Sequence, residues 1–218
     1  MPILRKAHKI HHEYLQVIDH ELYIHLEDLG IEPQIYAIRW LRLLFGREFP
    51  VQQVYRLWDA MFADDTTLSA ADFVCVAMLV YIRDDCMSFM LLELADIRVV
   101  LQSDYANCLH YLMRFPPIAD ITVLAQQARA LRDRPTAEIG YNIRYHNAVR
   151  AGREHEFRAR EEERRLAEEE AKNPLAAHPQ ILELVKAGTL VGARAFESIK
   201  VWTCPSVLGL RDDGIESS

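Results

Sequence analysis

The stretch Phe73 to Ile82 reads FVCVAMLVYI, apolar at every position. A helix this apolar on all sides cannot sit on a surface, so the rest of the chain must wrap it. It is also far too short to cross a bilayer, which takes roughly 20 residues. Its Val and Ile content also admits a buried strand. Ser69 is a fitting N-cap for a helix from Ala70 to Arg83, with Asp72 three residues on in a capping-box-like pattern. Arg83–Asp84 closes it as a capping and ion-pair device.

The wrap is legible as a relay of helices. Ile3, Leu4, Ala7, Ile10, Tyr14, Leu15 and Ile18 have helical spacing. Asp19 caps a second helix that Gly30 stops. Pro33 opens a third, running to Phe45 and ended by Gly46. Pro50 opens a fourth, to Phe62, and residues 64–67 form a loop. Cys86 to Leu101 is expected as an amphipathic helix, Ser103 as the cap of the next, and Asp120 to Leu131 as the last of the block.

Beyond Pro135 the character changes. From Arg144 to Lys172 there are eight basic and eight acidic side chains. Glu154–Arg158, Glu156–Arg160, Glu161–Arg165 and Glu168–Lys172 are spaced acid first at i,i+4, which predicts one long solvated helix. Val149, Phe157 and Leu166 are too sparse for a coiled-coil seam. Pro179 to Lys186 is a candidate short helix in a Gly- and Pro-bearing, weakly ordered tail.

The net charge of −7 argues against nucleic-acid binding, which needs a basic face, and against a basic membrane-surface protein. MPILRKAHKIHH carries no apolar segment behind its charges, so it is not a secretory signal. The cysteines (Cys75, Cys86, Cys108 and Cys204) form no CxxC pair and read as reduced thiols, which leaves a regulatory disulfide open.

Five histidines crowd the start: His8, His11, His12, His20 and His25. His8 and His12 are one turn apart, but zinc needs a third or fourth ligand. His12–Glu13 begins like HExxH and fails at Gln16. No metal is expected. No Gly-rich phosphate loop and no GxSxG occur, so no nucleotide or other cofactor is expected and no residue is assigned as catalytic.

Residues 19–64 carry large apolar anchors, Trp40, Phe45 and Trp58, with Asp59 mid-helix among apolar neighbours, where it needs a donor such as Arg39 or Arg42. Arg47–Glu48 lies in the turn before Pro50, where it satisfies helix ends or meets a partner. The order His25–Leu26, Gly30–Ile31–Glu32–Pro33, Trp40, Leu44–Phe45, Glu48–Phe49–Pro50 and Trp58–Asp59 resembles the C-terminal half of the TBC domain, the Rab GTPase-activating family. The wording PQIYAIRWLRLLFGREFP, VAMLVYIRD and YANCLHYLMRFPPIAD is similar to the family-member-5-like branch.

The resemblance implies an all-α lobe over residues 1–134, followed by the charged helix (135–173) and the tail (174–218). It implies a GTP-bound Rab-family partner, a place in vesicle traffic, a cytoplasmic location and at most peripheral membrane association through partners. The family accelerates GTP hydrolysis with an Arg in IxxDxxR, which stabilises charge on the transferred phosphoryl group, and a Gln in YxQ, which positions the attacking water. No IxxDxxR occurs in this chain. Its one YxQ, Tyr14–Leu15–Gln16, is followed by Val17–Ile18 rather than Gly-Met, so Gln16 is an ordinary surface residue. The expectation is a half-domain that is catalytically incompetent alone. The alternatives are a non-catalytic Rab-binding or scaffolding protein, or an unrelated helical interaction module.

Overall fold

The computed structural model describes residues 2–64, 68–87 and 97–172, and every element in that range is helical. The loop residues 65–67, the segment 88–96 and the tail from residue 173, with the short helix expected at Pro179–Lys186, lie outside the described residues. The chain divides into two units, Met1–Glu154 and His155–Ser218.

The first unit opens with α1 (Pro2–His8), a π-helical segment (Lys9–Leu15) and α2 (Gln16–Ile18), which follow one another without a break. The periodicity anticipates one helix here but not its wider middle turn. Asp19 then caps α3 (His20–Asp28), its carboxylate accepting the Leu22 N–H at 3.1 Å. Gly30 ends α3 at a φ of 67°, and the Ile31 N–H reaches the Leu26 carbonyl at 3.0 Å, a Schellman closure.

Pro33 opens α4 (Pro33–Arg42), which stops three residues short of Phe45. Leu44 and Phe45 themselves take the left-handed backbone, at φ values of 44° and 67°. That conformation costs a bulky residue about 1–2 kcal/mol. Complete burial of Phe45 offsets it. Gly46 therefore does not end the helix; the strain sits on the two residues before it.

After α5 (Val51–Asp64) comes the apolar rod, α6 (Ser69–Cys86), a helix and not a strand. It packs against α4, α5, the π-helical segment, α7 (Ile97–Met113), α8 (Ile121–Asp133) and α9 (Ala137–Arg150), so neighbours cover it all round. Ser69 is its first helical residue, and Leu68 holds the cap position with a φ of 59°. Asp72 completes no capping box: it is buried and accepts the Lys6 ammonium at 2.8 Å. Cys86 closes α6, and both Leu101 and Ser103 lie inside α7, so the helix begins before Ser103.

Asp120 caps α8 by accepting the Thr122 N–H at 3.0 Å. The charged stretch is two helices, not one. Gly152, at a φ of 70°, separates α9 from α10 (Glu154–Lys172), and the Arg153 N–H returns to the Ala148 carbonyl at 2.8 Å. α9 packs on α2, α6 and α8, burying Gly140, Ile143 and Ala148. Within α10, Arg164 bonds Glu161 and Glu168, and Arg165 bonds Glu162 and Glu169, on an exposed surface.

One charged knot ties the first unit together. The Arg83 guanidinium, mostly buried on α6, meets Asp19 at 2.9 Å, Glu21, and Asp84 at 3.3 Å; Arg144 of α9 reaches the other Asp19 oxygen at 3.6 Å. Asp19 is thus both the cap of α3 and the hub of three helices.

Candidate functional site

The turn from α4 to α5 gathers most of the residues singled out in the sequence. Trp40 and Phe45 are fully buried, with the Trp40 ring 5.1 Å from Tyr36 and edge-on to Phe115 at 6.3 Å. Trp58 is half-buried and donates its indole N–H to the Leu44 carbonyl at 2.9 Å. That bond satisfies a carbonyl left over by the strained turn. Leu26 is fully buried, Gly30 and Pro33 bracket the α3–α4 junction, and Pro50 precedes α5.

Asp59 stands apart. It is exposed on α5, so it needs no buried donor, and Arg39 serves Glu48 instead. The Arg39 Nε–H donates to Glu48 Oε1 at 2.7 Å, with the Glu48 side chain 1 % exposed. Glu48 thereby points into the protein while its neighbour Arg47 is exposed. The two halves of the pair face different surroundings.

α5 presents an uncovered apolar face. Val51, Tyr55, Trp58 and Phe62 recur at i, i+4, i+7 and i+11, one side of a helix. Val51, Tyr55 and Phe62 are each about half exposed, as is Leu43 of the preceding turn. The adjoining side of α5 carries Val54, Leu57 and Met61 into the core. On another side of α5, between α5, α6 and α8, lies a cavity of about 300 Å³. Its floor includes Met61, Ala70 and Val74, and its lining carries Arg56, Arg129 and Arg132 with Thr122. An exposed apolar strip of this kind suits contact with a partly apolar partner surface.

His25 is placed elsewhere, half-buried on α3 near Cys108 of α7 and Cys86 at the end of α6, with its Nε2 buried and without a hydrogen-bond partner. The neighbouring Cys86, with His25 also helping, lowers the pKa of the Cys108 thiol against its burial. Cys86 is pushed up by Cys108 and by burial, and His25 is raised by Cys108. The three described cysteines are free thiols. Sequence spacing hides this contact, because its members come from three separate helices.

Residues 1–87 match the family model of the Rab-GTPase-TBC domain. TBC1 domain family member 5 of Mus musculus is 43 % identical over 152 residues, which is 67 % of this chain and 17 % of that protein. The human protein of the same name is 42 % identical over the same shares. TBC1 domain family member 13 of Homo sapiens is 36 % identical over 115 residues, 53 % of this chain and 25 % of that protein. The chain therefore spans about a sixth of the member 5 relatives' length. No solved structure matches it. Residues 1–87 of this chain thus belong to the Rab-GTPase-TBC domain family, and the likeness to the member 5 proteins reaches over about two thirds of the chain.

Proposed function

We propose that this chain is part of a Rab GTPase activator of vesicle traffic, in the cytoplasm and on membranes only through its partners. The observation that carries the reading is the family match over residues 1–87, which takes in Trp40 of α4, Phe45 of the turn and Trp58 of α5. In this reading the segment is the C-terminal half of the domain, and it docks on a GTP-loaded Rab through the exposed face of α5, with Arg47 at its edge. The exposed apolar strip supports that choice of surface. These 218 residues supply neither the IxxDxxR arginine nor the YxQ-Gly-Met glutamine. The chain alone then binds without accelerating hydrolysis.

A second reading is a non-catalytic Rab-binding or scaffolding protein. No helix among the described residues is long and apolar enough to cross a membrane, in keeping with a partner-borne membrane location.

A panel of Rab proteins, each loaded with GTP or GDP, tests both. The expected result is binding that prefers one or a few GTP-loaded members, weakened by Tyr55→Ala or Arg47→Ala, with unchanged single-turnover phosphate release. Faster release by this chain alone would overturn its catalytic incompetence. Equal indifference to every Rab in both nucleotide states would overturn the Rab reading.

A further inference from the structure

The first helix and α3 bring together a donor set that spacing along the sequence does not reveal. The π-helical segment Lys9–Leu15 places His11 and His12 against α3, and such widened turns often accompany functional sites. One nitrogen of each ring and a carboxylate oxygen of Glu27 all lie within 4.8 Å of one another. His11 Nε2 is 2.9 Å from Glu27 Oε1. The His12 ring is centred 4.8 Å from that of His11 and 4.1 Å from that of His8.

We propose that His11, His12 and Glu27 form a binding site for one divalent metal ion of the zinc type. Two imidazoles and a carboxylate are a known zinc donor set that leaves a position open. Donors about 2.0–2.1 Å from a tetrahedral ion stand roughly 3.3 Å apart. The His11–Glu27 edge is already near that spacing. His12 is half-buried and Glu27 exposed, so both can close the remaining gap by side-chain rotation.

His11 has the features of a ligand fixed in advance. It is fully buried, and its Nδ1 lies 2.8 Å from the Tyr36 hydroxyl. Metal-binding imidazoles commonly make such a bond through the nitrogen that faces away from the ion, which sets ring orientation and tautomer. Tyr36 is itself fully buried, and burial raises its pKa, so it stays a neutral hydroxyl. The contact from His12 Nδ1 to the Tyr23 hydroxyl is long, at 3.4 Å, and is readily exchanged for a metal bond. Glu27 has a 41 % exposed side chain and provides the way in from solvent. A bound ion would clamp the first helix to α3.

The test uses the tag-free full chain, stripped with chelator. Cobalt(II) serves as the optical probe and zinc(II) as the competitor. The expected result is saturable one-to-one binding, visible absorption bands of tetrahedral cobalt that zinc abolishes, and a raised melting temperature with zinc. Because replacing the buried His11 confounds folding with binding, the informative variants lie on the accessible side. His12→Gln and Glu27→Gln should each weaken zinc by at least tenfold, and His20→Gln should leave it unchanged. Tyr36→Phe should weaken zinc about 10–100-fold through lost orientation. No saturable one-to-one binding overturns the proposal, and so does wild-type affinity in either His12→Gln or Glu27→Gln.

Discussion

Gly140 of α9 packs so closely on Ile18 that a Cβ added to it would overlap the Ile18 carbonyl oxygen and stand 2.9 Å from Cγ2 of the same residue. The obstacle is backbone, which cannot rotate away, so only glycine fits there. Gly140→Ala should therefore destabilise the protein by about 1–3 kcal/mol or more in urea unfolding. Gly152 makes the opposite case: the space around it is open, and only its φ of 70° matters. Asparagine tolerates that backbone. Gly152→Asn should be mild and Gly140→Asn the worst of the set. Equal effects at the two sites would refute the close packing.

Arg83 neutralises Asp19 inside the protein, with Arg144 only at 3.6 Å on the other oxygen. Removing one member of a buried ion pair leaves the other uncompensated, at about 3–5 kcal/mol. Arg83→Met should cost that much, read as a fall in the denaturation midpoint. Asp84→Asn, at the wetter edge of the knot, should stay within about 1 kcal/mol. An Arg83→Met protein as stable as wild type would show that Arg144 suffices.

Trp58→Phe keeps most of the ring and deletes the N–H that serves the Leu44 carbonyl. The expected cost is about 1 kcal/mol, with earlier amide exchange at residues 44–46 than elsewhere in the turn. Unchanged exchange there would mean that solvent satisfies the carbonyl equally well.

Asp120 sets an acid limb on stability. Its carboxylate accepts the Thr122 N–H and hydroxyl, and these bonds hold its pKa below the ordinary value. A depressed folded pKa contributes stability above the unfolded value, about 3.9, and loses it as pH falls through the folded one. The stability gap between wild type and Asp120→Ala should be constant from about pH 5 to 8 and shrink below about pH 4. A gap that persists at acid pH would show that the charge contributes nothing.

Cys108 and Cys75 are equally buried, so their ionisation should decide their order of alkylation. Burial pushes Cys75 well up, while Cys86 and His25 lower Cys108. Mass spectrometry after iodoacetamide at neutral pH should find the Cys86–Cys108 pair modified before Cys75.

Much of this architecture is readable where a single residue acts on its own stretch of chain. The run Phe73–Ile82 announces the central rod, and Asp19, Gly30, Pro33 and Asp120 mark helix ends by local chemistry. The misreadings share a different cause. Phe45 takes a glycine-like backbone because of what surrounds it, not because of its own preference. Gly152 was hidden among charges whose i,i+4 spacing runs straight through it. Asp59 gives no sign in sequence that its side of α5 is exposed. The pairing of Glu27 with His11 and His12, and the approach of Gly140 to Ile18, each depend on two helices meeting, which no one-dimensional pattern encodes.

The widened turn at Lys9–Leu15 also works as a phase adjuster. A π-type turn holds about one residue more than an α-helical one, so removing one residue from it and relaxing to 3.6 residues per turn would leave the turns on either side nearly in phase. Lys6 would keep its reach to Asp72, and only the side chains inside the segment would be re-aimed. A single-codon deletion there should therefore be borne better than one elsewhere in the same rod, because the flanking turns keep their faces.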